Sequence, residues 1–135
     1  MRLTQVSAVL VFVLGLSVGV WMTHSVQAEE RTTPTFDNVL RADLESAEGL
    51  EVIVSLVEIP AETTLPQHRH PGEEFVYLLE GNAMLWLKGA GDVALKAGDA
   101  VKVPLGQVHT AKTGGEAAKV LVFRVHRKGE PERIP

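Results

Sequence analysis

Four side chains able to hold a cation fall in two short stretches of this sequence. The first, Gln67 to Gly81, reads QHRHPGEEFVYLLEG and places His68, His70 and Glu74 within seven positions. In an extended chain side chains alternate, so His68 and His70 project from one face, separated by about 6.6 Å of backbone. Imidazoles so placed can converge on one ion through bonds of roughly 2.0–2.2 Å. Pro71-Gly72 then bends the chain, and a carboxylate can return to the same point: Glu74, with adjacent Glu73 as the alternative acid. Three side chains rarely complete such a site. The second stretch, Gly98 to His109, GDAVKVPLGQVH, offers a glycine turn, a short strand, a second turn at Pro104-Leu-Gly106 and then a histidine opening a new strand. His109 is therefore the candidate fourth ligand.

The chain contains no cysteine, which excludes thiolate ligands, thiol nucleophiles and disulfides. The donors are all nitrogen and oxygen, a set that suits one divalent first-row ion: iron, manganese, nickel, copper or zinc. Three imidazoles and a carboxylate fill four positions of an octahedron. The two left open can take water, dioxygen or a chelating substrate. Isolated histidines carry less meaning. His24 lies in the N-terminal segment, and His126 shares its parity with Arg124, opposite Leu121, Phe123 and Val125, so it is expected to face solvent. Arg69, between the paired histidines, belongs to the opposite face as a solvent or interface charge.

The elements that must position these residues read as short strands. Leu50–Ile59, LEVIVSLVEI, is rich in β-branched residues and stops at Pro60. It is apolar on both parities, which predicts cover on two sides, the second from another subunit. Phe75–Leu79, Ala83–Leu87, Val93–Lys96, Val101–Val103, Val108–Lys112 and Lys119–His126 follow, each bounded by glycine, proline or the charged end of the chain. Strands at such spacing indicate an all-β sandwich or barrel. Phe36–Leu44 fits a short strand or a helical turn, and no stretch after the leader sustains helical periodicity.

With both motifs in view, the sequence resembles the cupins. His68-Arg-His70, three residues, Glu74, six residues and Gly81 match that family's first motif; Gly98, Pro104, Gly106 and His109 match its second. Sixteen residues, 82–97, separate the two. The sequence departs from the family at Glu62, where a glycine is frequent, and at Thr113, where the motif closes with asparagine. The resemblance covers about residues 50–126. It implies a cupin-type double-stranded β-helix, a jelly-roll barrel, with His68, His70, Glu74 and His109 as metal ligands. The cupins include dioxygenases, isomerases, decarboxylases and domains that only bind.

The N-terminal segment adds a destination. Met1-Arg2, an apolar run near Val6–Val20 and the small-residue site Val26-Gln-Ala28 describe a secretory signal peptide cleaved after Ala28, with a retained membrane anchor as the alternative. The mature protein would be periplasmic or secreted. It divides into a leader and first element at 29–49, the barrel at 50–126 and a charged tail at 127–135. Its net charge is −5, from 12 basic residues once Arg2 is lost against 17 acidic. No Lys/Arg run is present, which argues against nucleic acid and anionic membrane surfaces as partners. A homodimer and a small-molecule ligand are the expected partners.

Two functions remain in contention: metal-dependent, dioxygenase-like or isomerase-like chemistry on an enediol or phenolic substrate, and a non-catalytic module binding a small ligand or the metal. Intact ligands weigh against a vestigial site. Tyr77, Glu73, Gln67 and Gln107 are candidates for the barrel mouth, and Met84, Leu85, Trp86 and Phe123 for an apolar inner wall suited to an organic ligand.

Overall fold

The computed structural model describes residues 32–135, so the expected signal segment at 1–28, with His24, lies outside the described residues. Eight strands follow in order: β1 (Thr35–Asp43), β2 (Leu50–Ile59), β3 (Glu73–Glu80), β4 (Asn82–Leu87), β5 (Gly91–Lys96), β6 (Ala100–Val103), β7 (His109–Lys112) and β8 (Ala118–Arg127). No helix occurs among the described residues. The 36–44 stretch resolves as strand as far as Asp43 because its backbone pairs along β2, which overrides weak local preference.

The strands form two antiparallel sheets, one ordered β1-β2-β8-β3-β6 and the other β5-β4-β7. Val57, Ile59, Val76, Leu78, Val103 and Val120 from the larger sheet meet Leu85 and Leu95 from the smaller, with Leu65 from the β2–β3 connection. In β3 the period of two is clean: Glu74, Val76 and Leu78 are buried, and Phe75, Tyr77 and Leu79 are exposed. Two glycines let strands approach closely. A methyl group on Gly72 would stand 1.9 Å from the Val125 carbonyl oxygen, and one on Gly81 would stand 2.0 Å from that of Ala117. Glu62, at the position where a glycine was expected, takes a left-handed φ of 52°, a conformation that disfavours any residue with a Cβ.

Two expectations are corrected by the packing. His126 faces inward, 1% exposed, because β8 joins β2 with His126 opposite Glu51 and Arg124 opposite Ile53. The inward set of β8 is therefore Ala118, Val120, Val122, Arg124 and His126, while Phe123 is exposed. The inner wall contains Leu85, but Met84, Trp86 and Phe123 do not line it. β2 is buried on its Glu51-Ile53-Ser55-Val57-Ile59 face, whereas Val54 and Leu56 on the outer face are only half covered. Finally, residues 127–135 fold back over the barrel mouth: Arg69 N–H donates to Ile134 O (2.9 Å) and Ile134 N–H to Arg69 O (3.0 Å).

Candidate metal centre

The connection from β2 to β3 runs extended beside β7, and this pairing assembles the site. His68 N–H donates to His109 O (3.0 Å), and His109 N–H returns a bond to His68 O (2.9 Å). Two distant segments thus place their imidazoles side by side, with ring centroids 4.4 Å apart. Alternation through exposed Arg69 brings His70 to the same interior, 4.8 Å from His68 and 5.3 Å from His109 between centroids. All three rings are buried, and each offers a ligand nitrogen within 4.8 Å of the others.

Main-chain carbonyls fix the orientation of these rings. The Nδ1–H of His68 donates to Pro66 O (2.9 Å), that of His109 to Gln107 O (2.9 Å) and that of His70 to Glu132 O. A carbonyl only accepts, so each Nδ1 carries the hydrogen and each neutral ring presents an Nε2 lone pair. Glu74, first of the inward residues of β3, sets its carboxylate among them: Oε2 lies 2.8 Å from His70 Nε2 and Oε1 lies 3.3 Å from His109 Nε2. The close His70 contact is misaligned, leaving its buried Nε2 without a hydrogen bond. Glu73, the alternative acid, instead pairs with Lys102 on the outer surface.

Ionisation follows from this enclosure. Burial pushes the His68 pKa down to about 4, opposed by its bond to the Pro66 carbonyl. Burial also works against charge on His109, but the hydrogen bond and charge of Glu74 outweigh it and raise that pKa above 6.5. Burial would raise the Glu74 pKa, yet the facing imidazoles of His109 and His70 hold it well below the usual carboxylate range. A carboxylate facing imidazole lone pairs in a closed pocket needs a positive charge between them. In the metal-free protein the raised His109 pKa favours a proton there, and a divalent cation with nitrogen and oxygen ligands fits the same place.

The centre opens on a cavity of about 340 Å³. Its wall is mainly apolar, including Val57, Leu65, Val76, Leu85, Ala111 and Val120, with Phe36 from β1. Tyr77, Glu73, Gln67 and Gln107 do not line it. The sequence reading also missed a polar group that does: Asn38, Ser55, Arg124, Glu132 and Arg133. Here polar residues face inward and apolar ones outward, so parity assigned by hydrophobicity inverts. The available signal was the pairing of apolar β2 and β8, each with polar residues on one shared parity.

The sequence profile described as the cupin domain matches residues 55–124, just over half the chain, and the protein belongs to that family. No curated protein matches the chain. Among solved structures, the DMSP lyase DddQ from Ruegeria pomeroyi is 29% identical, with a TM-score of 0.57 over 62% of this chain and 42% of that one. The chain therefore spans less than half of that protein's length. An RmlC-like cupin family protein with a double-stranded β-helix fold, from Methanocaldococcus jannaschii, gives 14% identity and a TM-score of 0.60 over 75% and 85% of the two chains. The polyketide cyclase RemF from Streptomyces resistomycificus gives 21% and 0.55 over 78% and 82%. The last two are likenesses of fold, and with them the jelly-roll reading of the sequence holds.

Proposed function

We propose that this protein is an exported cupin that binds one divalent first-row transition metal through Nε2 of His68, His70 and His109 and the carboxylate of Glu74, and acts on a small organic molecule in the adjoining cavity. The observation that carries this reading is the set of three Nδ1–H bonds to main-chain carbonyls, which turns three Nε2 atoms and one carboxylate toward a common point. Such an ion would supply Lewis acidity and a means of activating dioxygen to a chelating substrate, hence dioxygenase-like chemistry. The chain's own contribution is to fix the rings, to cancel one unit of charge with Glu74 and to exclude water with the apolar wall. The relatives named as a DMSP lyase and a polyketide cyclase support a small organic substrate.

One observation favours a second reading, a non-catalytic module for a small ligand or the metal. Apart from Glu74, the carboxylate lining the cavity is Glu132, and Arg41 and Arg124 already engage it. The wall therefore offers no free acid or base beyond the metal-facing groups. In both readings the apolar outer face of β2, β8 and β3 packs against a second copy. In both, the signal segment delivers an unfolded chain that acquires its ion outside the cytosol, where intrinsic affinity favours copper and zinc.

The test is metal analysis and intact mass of protein purified from its exported pool, beside a His109→Ala variant. About one equivalent of copper or zinc and an N-terminus at Glu29 are expected, with the metal lost in the variant while the β-sheet circular dichroism persists. Unchanged metal content in His109→Ala would overturn the ligand assignment. An iron-only protein would overturn the copper or zinc expectation.

A further inference from the structure

Beside the metal centre lies an arginine that the ligand set does not use. Arg124 is the cross-strand partner of Glu74, and on one face such neighbours have Cβ atoms about 4.5–5.5 Å apart. It is 6% exposed and lines the cavity. Its Nη2 donates to Ser55 Oγ at 2.7 Å and lies 3.3 Å from Glu132, but its Nε is buried with no partner. A buried guanidinium donor without an acceptor is costly unless something else fills the place.

A second guanidinium stands at the rim. Arg133, carried there by the C-terminal segment, lines the same cavity and sits 4.1 Å over the Phe36 ring. It makes no hydrogen bond or ion pair within the described residues, yet its charge acts on Glu74, His68, His109, Arg124 and Glu132. Arg41, Arg124 and Arg133 stand against Glu51, Glu74 and Glu132, three charges of each sign, so a divalent ion beside Glu74 would leave two positive charges unmatched at this end of the cavity.

We propose that Arg124 and Arg133 form the seat for a carboxylate, so that the ligand of this site is a small carboxylic acid whose apolar body lies along the wall. This rests on the reading above that the cavity takes an organic molecule. A carboxylate fits better than a phosphate ester because planar guanidinium forks match its two oxygens. The cavity of about 340 Å³ holds a body of roughly ten non-hydrogen atoms, judged from about 30 Å³ for one water. Arg124 on a central strand provides the rigid half of the seat, and Arg133 provides the half that the folded-back C-terminus brings.

The experiment is isothermal titration of the full protein, metal-loaded and metal-free, with phenylacetate, its neutral isostere phenylacetamide and inorganic phosphate. Phenylacetate is expected to bind at least tenfold tighter than phenylacetamide in both metal states, with phosphate weaker than phenylacetate. Arg133→Gln, at an exposed position that the core does not depend on, should remove most of that discrimination while leaving metal content and phenylacetamide binding unchanged. Equal binding of acid and amide, failure of both to bind, preference for phosphate, or discrimination that survives Arg133→Gln would each overturn the proposal. Discrimination that vanishes with the metal yet survives the substitution would assign the carboxylate to the ion instead. Metal-free wild type that still prefers the acid, in a protein that never retains metal, would sink the metal reading and leave this one standing.

Discussion

Gly72 lies between His70 and Glu74, and the site's geometry makes it the most informative single position. An alanine there would put its methyl carbon 1.9 Å from the Val125 carbonyl oxygen, 2.9 Å from that carbonyl carbon and 3.1 Å from the His126 Cα, all backbone atoms of β8. Real Cβ atoms essentially never approach within 3.0 Å, so the turn or the strand must yield by at least 1.1 Å (3.0 minus 1.9). Overpacking of this kind costs about 1–3 kcal/mol. That corresponds to a drop in Tm of roughly 5–20 °C for a domain of this size. The same displacement exceeds several-fold the tolerance of about 0.2 Å for a metal–ligand distance. Because both His70 and Glu74 ride on this turn, metal affinity should fall at least tenfold.

Gly81→Ala is the matched control. Its methyl carbon would meet the Ala117 carbonyl oxygen at 2.0 Å, at a φ of +76°, but at the far end of β3 from the histidines. Both variants should melt earlier in the metal-free state by differential scanning fluorimetry. Only Gly72→Ala should also weaken metal in a chelator-competition titration. The reasoning is refuted if the two lower Tm alike and neither changes metal affinity, because the 71–73 turn would then not set the ligand positions.

Three further outcomes follow from the structure. Since Glu74 raises the His109 pKa above 6.5 while burial lowers that of His68 to about 4, the proton a metal must displace sits on His109. Affinity should therefore fall by about tenfold per unit as pH drops below the raised His109 value; chelator competition across pH checks this, and a flat profile from pH 6.5 downward would contradict it. By the same signs, the metal-free fold gains from His109 below pH 6.5 and loses that gain as pH rises through the raised pKa, while the His68 contribution is lost as pH falls from 6.5 toward about 4. On the outer sheet face, Phe75 and Phe123 pair edge to face at 6.2 Å between centroids and are 38% and 39% exposed. Light scattering should give a dimer for the wild type and a monomer for Phe123→Lys with metal content kept; a monomeric wild type would refute the second copy.

Much of the fold could be read because its signals are local. Glycine and proline stop each β-branched run, and the HxH pair, Glu74 and His109 sit at positions where extended chain and tight turns constrain direction over a few residues. β3 shows why this works: its alternation, Glu74-Val76-Leu78 against Phe75-Tyr77-Leu79, is fixed by the pleat and needs no knowledge of a partner. Alternation alone, however, does not say which parity is inside when both are apolar or when the interior is partly polar. β8 failed on that point, because Arg124 and His126 face a cavity and its neighbour Glu51, and Phe123 faces outward.

What the sequence by itself determined is therefore the all-β class, the strand punctuation and the two motifs whose His68, His70, Glu74 and His109 meet inside the barrel, since each motif depends on spacing within one short segment. What only the tertiary structure decided is the chemistry around them. The register of β8 between β2 and β3 places Arg124 beside Glu74. The return of the C-terminal segment brings Glu132 O to His70 and Arg133 to the rim. Those placements join residues far apart along the chain, through pairings whose specificity lies in the packed whole.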